Sequence, residues 1–313
     1  MSSTQLQYGR IVERFFKEYD RDTGRAWTED PVAFASWFGK RSGRGDWGRR
    51  TFWIYRAAVI RFMAENGPAE AMQVLRSIQV SLRKKGTETS SKKMKKLPEK
   101  EWQALADTLI RSDNPLDIVI YHWLDAGRYT GLRPCEWEHA YLESGAQVSL
   151  VVANAKRSEV RANGVMRRVM FSPEHNQVEI SAIRMFLRDI ATLTGRGLSF
   201  RTLYTQCRKR LEYIRRAKTT GIDPENGQGI TLYSPRHQFA ADMKASGLSK
   251  AQIAALMGHA SEDSATIHYA RKRDGQKRVP PTSPASEIAS VRAGQAVAAT
   301  EGGKKVPKII IQR

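Results

Sequence analysis

One stretch near residue 90 constrains the fold of this chain more than any other part of its sequence. From Arg83 to Pro98 it reads RKKGTETSSKKMKKLP, in which seven basic residues stand among Gly, Ser and Thr and apolar side chains are almost absent before Leu97. Such a segment has little to bury and is typical of a linker. We therefore divide the chain into a smaller domain over 1–84, a basic linker over 85–98, a larger domain over 99–279 and a flexible C-terminal tail over 280–313.

The smaller domain is predicted to consist of several helices. Phe52, Tyr55, Val59 and Phe62 recur at helical spacing, which predicts a helix whose apolar stripe lies in the core. Asp46 is expected to be the N-cap of that helix, because a carboxylate accepts hydrogen bonds from the free amides of a first turn.

The larger domain changes its periodicity in the middle. Helices are predicted over about 99–111, 115–130, 176–193, 199–217, 235–246, 250–257 and 262–270. Asn114-Pro115 is a cap followed by proline at the first helical position, and Gly131 ends that helix. The β-rich runs 148–153 and 165–171 predict a hairpin. The expected fold class is therefore mainly α with a small antiparallel β-sheet, an α+β fold.

Charge points to a class of partner. The 52 Lys and Arg residues exceed the 32 Asp and Glu, which gives a formal net charge of +20. A surface this basic favours nucleic acid, because each neutralised phosphate releases condensed counterions. No stretch approaches the roughly 18 to 20 apolar residues of a membrane-spanning helix, and the first residues lack the apolar core of a signal peptide. We expect no membrane partner and a cytoplasmic, nucleoid-associated protein.

Basic residues of the smaller domain and the linker are candidates for contacts with phosphates. For the basic residues of the smaller domain, a solvated charged face is an equally good explanation. For those of the linker, a flexible hinge without specific contacts is the alternative. The candidates are Arg41, Arg44, Arg49, Arg50, Arg56, Lys92, Lys93, Lys95 and Lys96.

Metal-ligating residues are sparse in this sequence. Cys135 and Cys207 are too few for a disulfide framework or a thiolate zinc site, and the six histidines show no paired ligand spacing with carboxylates. We therefore expect neither a metal nor another cofactor.

The segment GLRPCE carries the first group suited to phosphate chemistry. Gly131 ends one helix and Pro134 suits the start of the next, so Arg133 is expected at a helix N-terminus. There the backbone amides and the guanidinium point towards the same anion. Glu136 is positioned to orient Arg133, although a surface ion pair explains this spacing as well.

Two later segments complete the pattern. In YSPRHQF, Arg236 stands in the first turn of a predicted helix, as a second phosphate ligand or as the partner of a carboxylate, with His237 as a core histidine. In LMGHAS, Gly258 closes a short helix before His259, and Tyr269 follows ten residues later. A single tyrosine is more often a packing residue than a nucleophile.

In this order, GLRP, a basic hairpin, YSPRH, LMGH and a tyrosine ten residues later resemble the catalytic domain of the tyrosine recombinases, also called phage-type integrases. The resemblance covers residues from about 99 to 275. The preceding helical segment with its basic linker looks like the core-binding domain of that family. The resemblance implies a DNA strand-breaking and rejoining enzyme, a site-specific recombinase.

The resemblance implies a role for each motif residue. Arg133 and Arg236 would hold the scissile phosphate, and Glu136 would support the first of them. His259 matches the family's His or Trp position. Tyr269 matches the nucleophile, which would attack a DNA phosphodiester and form a 3′-phosphotyrosyl link.

The remaining site residues follow from the same resemblance. Lys156 stands just after the first hairpin strand, where the family has its lysine, and would protonate the departing 5′ oxygen; a basic surface loop is the alternative for this region. Arg157 beside it is a candidate DNA contact. Tyr233 stands three residues before Arg236, where the family usually has His; a tyrosine hydrogen-bonds a phosphate oxygen but is no near-neutral base. His237 would be a supporting residue.

The implied partners are double-stranded DNA with a specific recombination site and three further copies of the chain. Such enzymes act as homo-tetramers on DNA, and here a monomer or weak oligomer is expected without it, with accessory DNA-bending proteins as further partners. The apolar patch 307–311 could dock on a neighbouring protomer or fold onto its own domain. Integration of a mobile element, excision and dimer resolution all remain open as the biological role.

Two alternatives compete with this interpretation. Residues 249–259 and the helix that follows them also fit a helix-turn-helix, which would make the protein a DNA-binding regulator, but this leaves the co-occurrence of the other motifs unexplained. A hairpin-forming telomere resolvase would use the same nucleophile and arginines. The compact length of 313 residues argues against that enzyme.

Overall fold

Helices dominate the computed structural model, which describes residues 3–78, 97–155, 163–217, 229–262 and 272–293, without the side chains of residues 3, 49 and 50. The chain divides into two compact units, Met1–Ser91 and Lys92–Arg313. The fold class predicted from the sequence, mainly α with a small antiparallel sheet, is confirmed.

The elements follow one another in chain order. The α-helices of the described ranges are α1 (Ser3–Thr23), α2 (Pro31–Gly43), α3 (Arg49–Asn66), α4 (Ala69–Ser77), α5 (Glu99–Ile110), α6 (Pro115–Thr130), α7 (Gln177–Gly195), α8 (Phe200–Arg216), α9 (Ser234–Ala245), α10 (Lys250–Leu256) and α11 (Ala285–Ala289). The 3₁₀ helices are η1 (Pro134–His139) and η2 (Lys272–Asp274), and the strands are β1 (Tyr141–Glu143), β2 (Val148–Ala153) and β3 (Met166–Phe171). None of the described helices combines the length and the apolar character needed to cross a bilayer.

The first unit, over its described residues 3–78, has four helices, α1 to α4, around an aromatic core. Phe15 is fully buried, and its ring centroid lies 5.1 Å from that of Phe38, 5.3 Å from that of Trp47 and 5.2 Å from that of Tyr55. Such tilted and edge-on contacts suit the ring quadrupoles. The aromatic content of the first 80 residues therefore goes mainly into packing.

The predicted stripe of α3 belongs to this core, but its predicted cap is wrong. Phe52 and Val59 are buried. The helix begins at Arg49 with Gly48 before it and has no side-chain cap. The Asp46 carboxylate instead accepts a hydrogen bond from Nη1 of Arg41 at 2.7 Å, because a charged partner outcompetes the free amides of a helix that starts later.

The second unit is organised by the close approach of α6 and α9. Asn114 caps α6 by accepting a hydrogen bond from the Leu116 amide at 3.0 Å, and Gly131 ends the helix in the left-handed conformation, as predicted. Where the helices meet, Gly127 lies against Pro235 and Gly131 lies against Phe239, each without room for a Cβ atom. Because α9 carries the YSPRH segment, this approach brings it to the GLRP segment.

The predicted hairpin is present, and it belongs to a larger sheet. Strands β2 and β3 pair antiparallel, with Val148 opposite Phe171 and Ala153 opposite Met166. Strand β1 was not predicted; it pairs antiparallel with β2 on the other side, so the sheet order is β1-β2-β3. Three residues are too few for a periodicity of two to be recognised.

The predicted flexible tail is wrong for its first part. Residues 280–293 pack on the second unit: Thr282 bridges to Met170 of β3, and the side-chain amide of Asn163 donates to the Glu287 carbonyl at 2.7 Å. The edge of β3 offers free backbone hydrogen-bonding groups to which the tail can pair. The Pro- and Ala-rich composition of the tail gives no sign of this pairing. Residues 294–313 lie outside the described residues, so docking by the patch 307–311 stays a prediction.

We predict that Gly131→Ala destabilises the protein more than Gly197→Ala. Both glycines have a positive φ, +63° and +88°, so alanine is strained at either position by about 1–2 kcal/mol. At Gly131 a Cβ would also lie 2.9 Å from Cγ of Phe239, whereas nothing lies within 4 Å at Gly197. Overpacking adds about 1–3 kcal/mol at Gly131 only. Denaturant unfolding of both variants measures the difference; equal losses would contradict the close approach of α6 and α9.

Candidate active site

A buried carboxylate lies at the centre of the candidate site. The two oxygens of Glu136 meet Nη1 of Arg133 at 2.6 Å, Nη2 of Arg167 at 2.7 Å and Nη1 of Arg236 at 3.7 Å. The Ala155 amide also donates to this carboxylate, at 3.3 Å. Burial alone would raise the pKa of Glu136, but Arg167, Arg236 and Arg133 outweigh it and hold the pKa well below its usual range. Glu136 is therefore ionised.

Arg133 is the cluster arginine with exposed surface. It stands at the N-cap position of η1, where its backbone amide donates to the Glu136 carboxylate at 2.7 Å and its backbone carbonyl accepts from the Glu136 amide at 2.9 Å, and these two bonds fix the start of this short helix. The relative solvent exposure of its side chain is 12%, whereas that of Arg167 and of Arg236 is 0%. Arg133 is thus the guanidinium through which an anion in solvent would first meet the cluster.

Arg236 lies in the first turn of α9 and is fully enclosed. It donates to the carbonyl of Gly131, to that of Met257 at 2.8 Å and to Nε2 of His259 at 2.9 Å. These contacts join the end of α6 to the loop after α10. The YSPRH and LMGH segments, 21 to 23 residues apart in the chain, therefore meet the GLRP segment at one side chain.

His259 is a neutral hydrogen-bond acceptor in this arrangement. A guanidinium only donates, so the Arg236 contact leaves Nε2 without a proton and puts the ring proton on Nδ1. Burial, together with the charges of Arg236, Arg133 and Arg167, lowers the pKa of His259 to about 2. A neutral imidazole does not add to the positive charge that the arginines supply.

Tyr233 and His237 lie beside this cluster at the start of α9. Tyr233 is the half-buried residue that precedes the helix, and its ring packs edge-on against that of His237, with the centroids 5.4 Å apart. His237 is nearly buried. The predicted roles of both residues in phosphate binding stay predictions.

Several predicted site residues lie outside the described residues. They are Lys156, Arg157, Tyr269, Lys92, Lys93, Lys95 and Lys96, together with the side chains of Arg49 and Arg50. Their roles stay predictions.

The described basic candidates of the first unit differ in their surroundings. Arg41 forms an ion pair with Asp46, and its guanidinium lies 5.0 Å from the centroid of the Trp47 ring. Arg56 donates to the carbonyl of Leu75, at the end of α4. Arg44 is exposed after α2. Contacts inside the unit thus explain the positions of Arg41 and Arg56. Phosphate contact by Arg41, Arg44 or Arg56 stays a prediction.

Sequence analysis missed Arg167 as a member of the site. Along β3, Arg167, Val169 and Phe171 alternate and are all fully buried, whereas Met166 and Arg168 face outwards. This periodicity of two, continued back from the apolar residues, puts Arg167 on the inner face. An arginine is seldom buried without a charged or polar partner, so its place on the inner face was the signal in the sequence that Arg167 belongs to a buried cluster.

Helix α8 carries a second feature that the sequence analysis missed. It has six Lys and Arg residues against one acidic residue, Glu212. Arg201, Arg208, Lys209 and Arg216 are exposed, and their spacing of seven, eight and fifteen residues from the first puts them on one face. We call these four residues the α8 stripe.

The described residues contain no group of three His, Cys, Asp or Glu side chains that could hold a metal ion. The charge at the candidate site is instead supplied by guanidinium groups.

Comparison with known proteins gives matches among solved structures only. No protein-family model matches the chain, and no curated protein does. Two structures of XerH site-specific recombinase bound to difH DNA match this chain. The pre-cleavage complex has a TM-score of 0.51, and the post-cleavage complex on palindromic difH has a TM-score of 0.50. In both, the sequence identity is 14%, and the match covers 85% of this chain and 75% of that chain. A dimer of lambda integrase(75-356) bound to a COC' core site matches with a TM-score of 0.53 and 14% identity, over 89% of this chain and 93% of that chain.

These structures are tyrosine recombinases, so the resemblance stated from the sequence motifs is confirmed for the fold. At 14% identity the matches establish a shared fold and leave the chemistry of this chain to be argued from its own residues.

We predict that His259 makes the stability of the protein depend on pH. Unfolded, the histidine takes up a proton below its ordinary pKa of about 6.5, whereas the folded protein resists protonation down to about 2. Above pH 6.5 both states are neutral, and below it the unfolded state binds more protons, so stability falls with falling pH. The slope from this one residue is at most about 1.4 kcal/mol per pH unit.

The measurement is the free energy of unfolding of the wild type and His259→Gln between pH 7.5 and 5. The wild type should lose more stability than the variant as the pH falls. His175→Gln makes the same change at an exposed position and serves as the control. Identical pH dependence in the wild type and His259→Gln would contradict the neutral, buried state of His259.

Proposed function

We propose that this protein is a site-specific DNA recombinase that cleaves and rejoins DNA through a 3′-phosphotyrosyl intermediate. The observation that carries the proposal is the convergence of Arg133 and Arg236 on Glu136, with His259 hydrogen-bonded to Arg236. These residues come from three motifs, the first of which is more than 100 positions before the other two, and they share one connected set of ion pairs and hydrogen bonds. A fold that served only to present a helix-turn-helix would not need this convergence.

The charge of the cluster suits phosphodiester cleavage. Three arginines and one ionised glutamate leave two positive charges, since His259 is neutral. Attack of a tyrosine oxygen on a phosphodiester gives a five-coordinate phosphorus with about two negative charges. Preorganised positive charge around such a transition state is worth about 10² to 10³ in rate per donor. The guanidinium groups thereby supply the electrostatic stabilisation of the phosphoryl transfer.

The two reacting groups are assigned from the motifs. The Tyr269 hydroxyl gives up its proton to solvent, and its oxygen bonds to phosphorus while the bond from phosphorus to the 5′ oxygen breaks. Lys156 gives its proton to that departing 5′ oxygen, a general-acid step worth about 10² to 10⁴ in rate. Rejoining reverses these events when a new 5′-hydroxyl attacks the phosphotyrosyl bond, so no nucleotide is consumed.

DNA itself would lie along the α8 stripe. Exposed Lys and Arg on one face of a helix neutralise successive phosphates, and the net charge of +20 adds long-range attraction. One matched structure contains two copies of lambda integrase on a core site. By analogy, copies of this chain assemble on a DNA site, with four protomers needed to exchange strands between two duplexes.

We predict that Tyr269→Phe abolishes a covalent protein–DNA adduct and leaves DNA binding intact. The substrates are nicked duplex fragments from the DNA that flanks the gene of this protein, because a nick releases the broken strand and traps the intermediate. The measurements are a native gel shift and a denaturant-resistant adduct. Tyr141→Phe is the matched control, since Tyr141 is an exposed tyrosine of β1.

An adduct with the wild type and Tyr141→Phe, but not with Tyr269→Phe, supports the proposal. A clear shift without any adduct would contradict it and favour a DNA-binding regulator. Hairpin-ended products, in place of exchanged strands, would identify a telomere resolvase.

We predict that the α8 stripe determines the salt dependence of DNA binding. If Arg208 and Lys209 each contact a phosphate, neutralising both to Gln should lower the slope of log affinity against log salt concentration by about 2. Arg184→Gln with Arg188→Gln is the control, because these exposed residues lie on α7, where two acidic residues balance them. Equal changes in both double variants would contradict a specific role for the stripe.

A further inference from the structure

Arg167 joins three separate segments of the second unit through its three guanidinium nitrogens. Nη2 donates to Glu136 at 2.7 Å, Nε donates to the Leu256 carbonyl at 3.0 Å, and Nη1 donates to the side-chain oxygen of Asn154. The side chain is fully buried. Each of its nitrogens thus has a fixed acceptor from a different element: η1, the end of α10 and the residue after β2.

Asn154 in turn closes the base of the connection between β2 and β3. Its side-chain amide donates to the carbonyls of Asn163 at 2.9 Å and Gly164 at 3.0 Å, and its backbone amide donates to that of Val165 at 2.9 Å. Both ends of the connection are therefore held at one residue. Lys156, the proposed general acid, follows Asn154 by two positions in the sequence.

The loop that carries His259 fits closely against the same pair. Gly258 adopts φ +63°, and a Cβ atom built there would lie 2.8 Å from Nη1 of Arg167 and closer still to the side-chain oxygen of Asn154. The glycine of the LMGH segment therefore has a packing reason in addition to its backbone conformation. Only a residue without a side chain lets this loop approach Arg167 and Asn154.

Burial of a charged network does not by itself argue for stability, because desolvation offsets much of the attraction. What Arg167 adds is geometry, since a planar guanidinium with three occupied directions fixes its acceptors relative to one another. We infer that Arg167, acting with Asn154, is a positioning residue that holds Glu136, the base of the Lys156 connection and the His259 loop in register. This inference rests on the proposed function for what is being positioned.

The test uses the full chain with Arg167→Met and Arg167→Lys. Asp117→Asn is the control, because it weakens another ion pair of the second unit, between the buried Asp117 and the partly exposed Arg210, which includes no residue of the candidate site. The first measurement is amide hydrogen exchange without DNA. Arg167→Met should speed exchange in peptides covering Ala155 and residues 256–259, and Asp117→Asn should not.

The second measurement is the rate of adduct formation on nicked DNA at saturating protein. A misplacement of about 1 Å costs about 10²-fold, so we expect a loss of this size for Arg167→Met. Arg167→Lys keeps the charge but replaces three nitrogens in a rigid plane by one, so it cannot reproduce the three separate contacts in the same geometry, and it should lose at least about 10-fold. Asp117→Asn should stay within about twofold of the wild type.

Four results are decisive. Faster local exchange with reduced adduct formation in both Arg167 variants supports positioning. Unchanged exchange at Ala155 and residues 256–259 overturns it, whether or not the wild type cleaves DNA. Full rescue by Arg167→Lys also overturns it, because charge alone would then suffice. A wild type that forms no adduct while Arg167→Met still speeds exchange would remove the proposed function and retain Arg167 as the residue that orders these segments.

Discussion

The ion cluster around Glu136 is the interaction on which the rest of the second unit depends. A carboxylate without exposed surface would be costly on its own, and so would each of the enclosed guanidinium groups of Arg167 and Arg236. Together they satisfy one another, and every member comes from a different element. The elements η1, β3 and α9 must therefore all be packed in place in the folded unit, because the absence of any one leaves a buried charge without its partner.

The same cluster determines the electrostatics of the candidate site. With Glu136 ionised and His259 neutral, the positive charge is concentrated on arginines, which stay protonated at neutral pH. Arg133 provides the exposed surface of this charge, and the buried arginines hold it in place. A site with such fixed charge has little reorganisation to complete when an anion binds, which is the condition for electrostatic catalysis.

Glycines allow the helices and loops to come close enough for these contacts. Gly127 and Gly131 let α6 approach α9, and Gly258 lets the His259 loop approach Arg167. At each point a methyl group would collide with a neighbouring side chain. The small residues in the GLRP and LMGH segments are therefore part of the construction of the site, even though they carry no chemistry.

Local signals in the sequence predicted most elements because their causes are local. A cap with proline at the first helical position, a left-handed glycine and alternating apolar residues act within a few residues, so α6 and β2 were predicted with their observed bounds and β3 with one residue too many at its start. Asp46 failed as a cap because the helix begins three residues later and Arg41, five residues earlier in the chain, engages its carboxylate. Strand β1 and the packing of residues 280–293 depend on edges supplied by other strands, and their own composition is uninformative.

The class of fold and the order of the motifs followed from the amino-acid sequence, and so did the choice of Arg133, Glu136, Arg236 and His259 as candidate site residues. The folded structure was needed to establish that Arg167 joins them and that Arg236 is enclosed. It also decided that His259 accepts a hydrogen bond as a neutral ring. The physical reason is that residue type and spacing specify which groups are available, whereas burial and the direction of each hydrogen bond depend on neighbours that are distant in the chain.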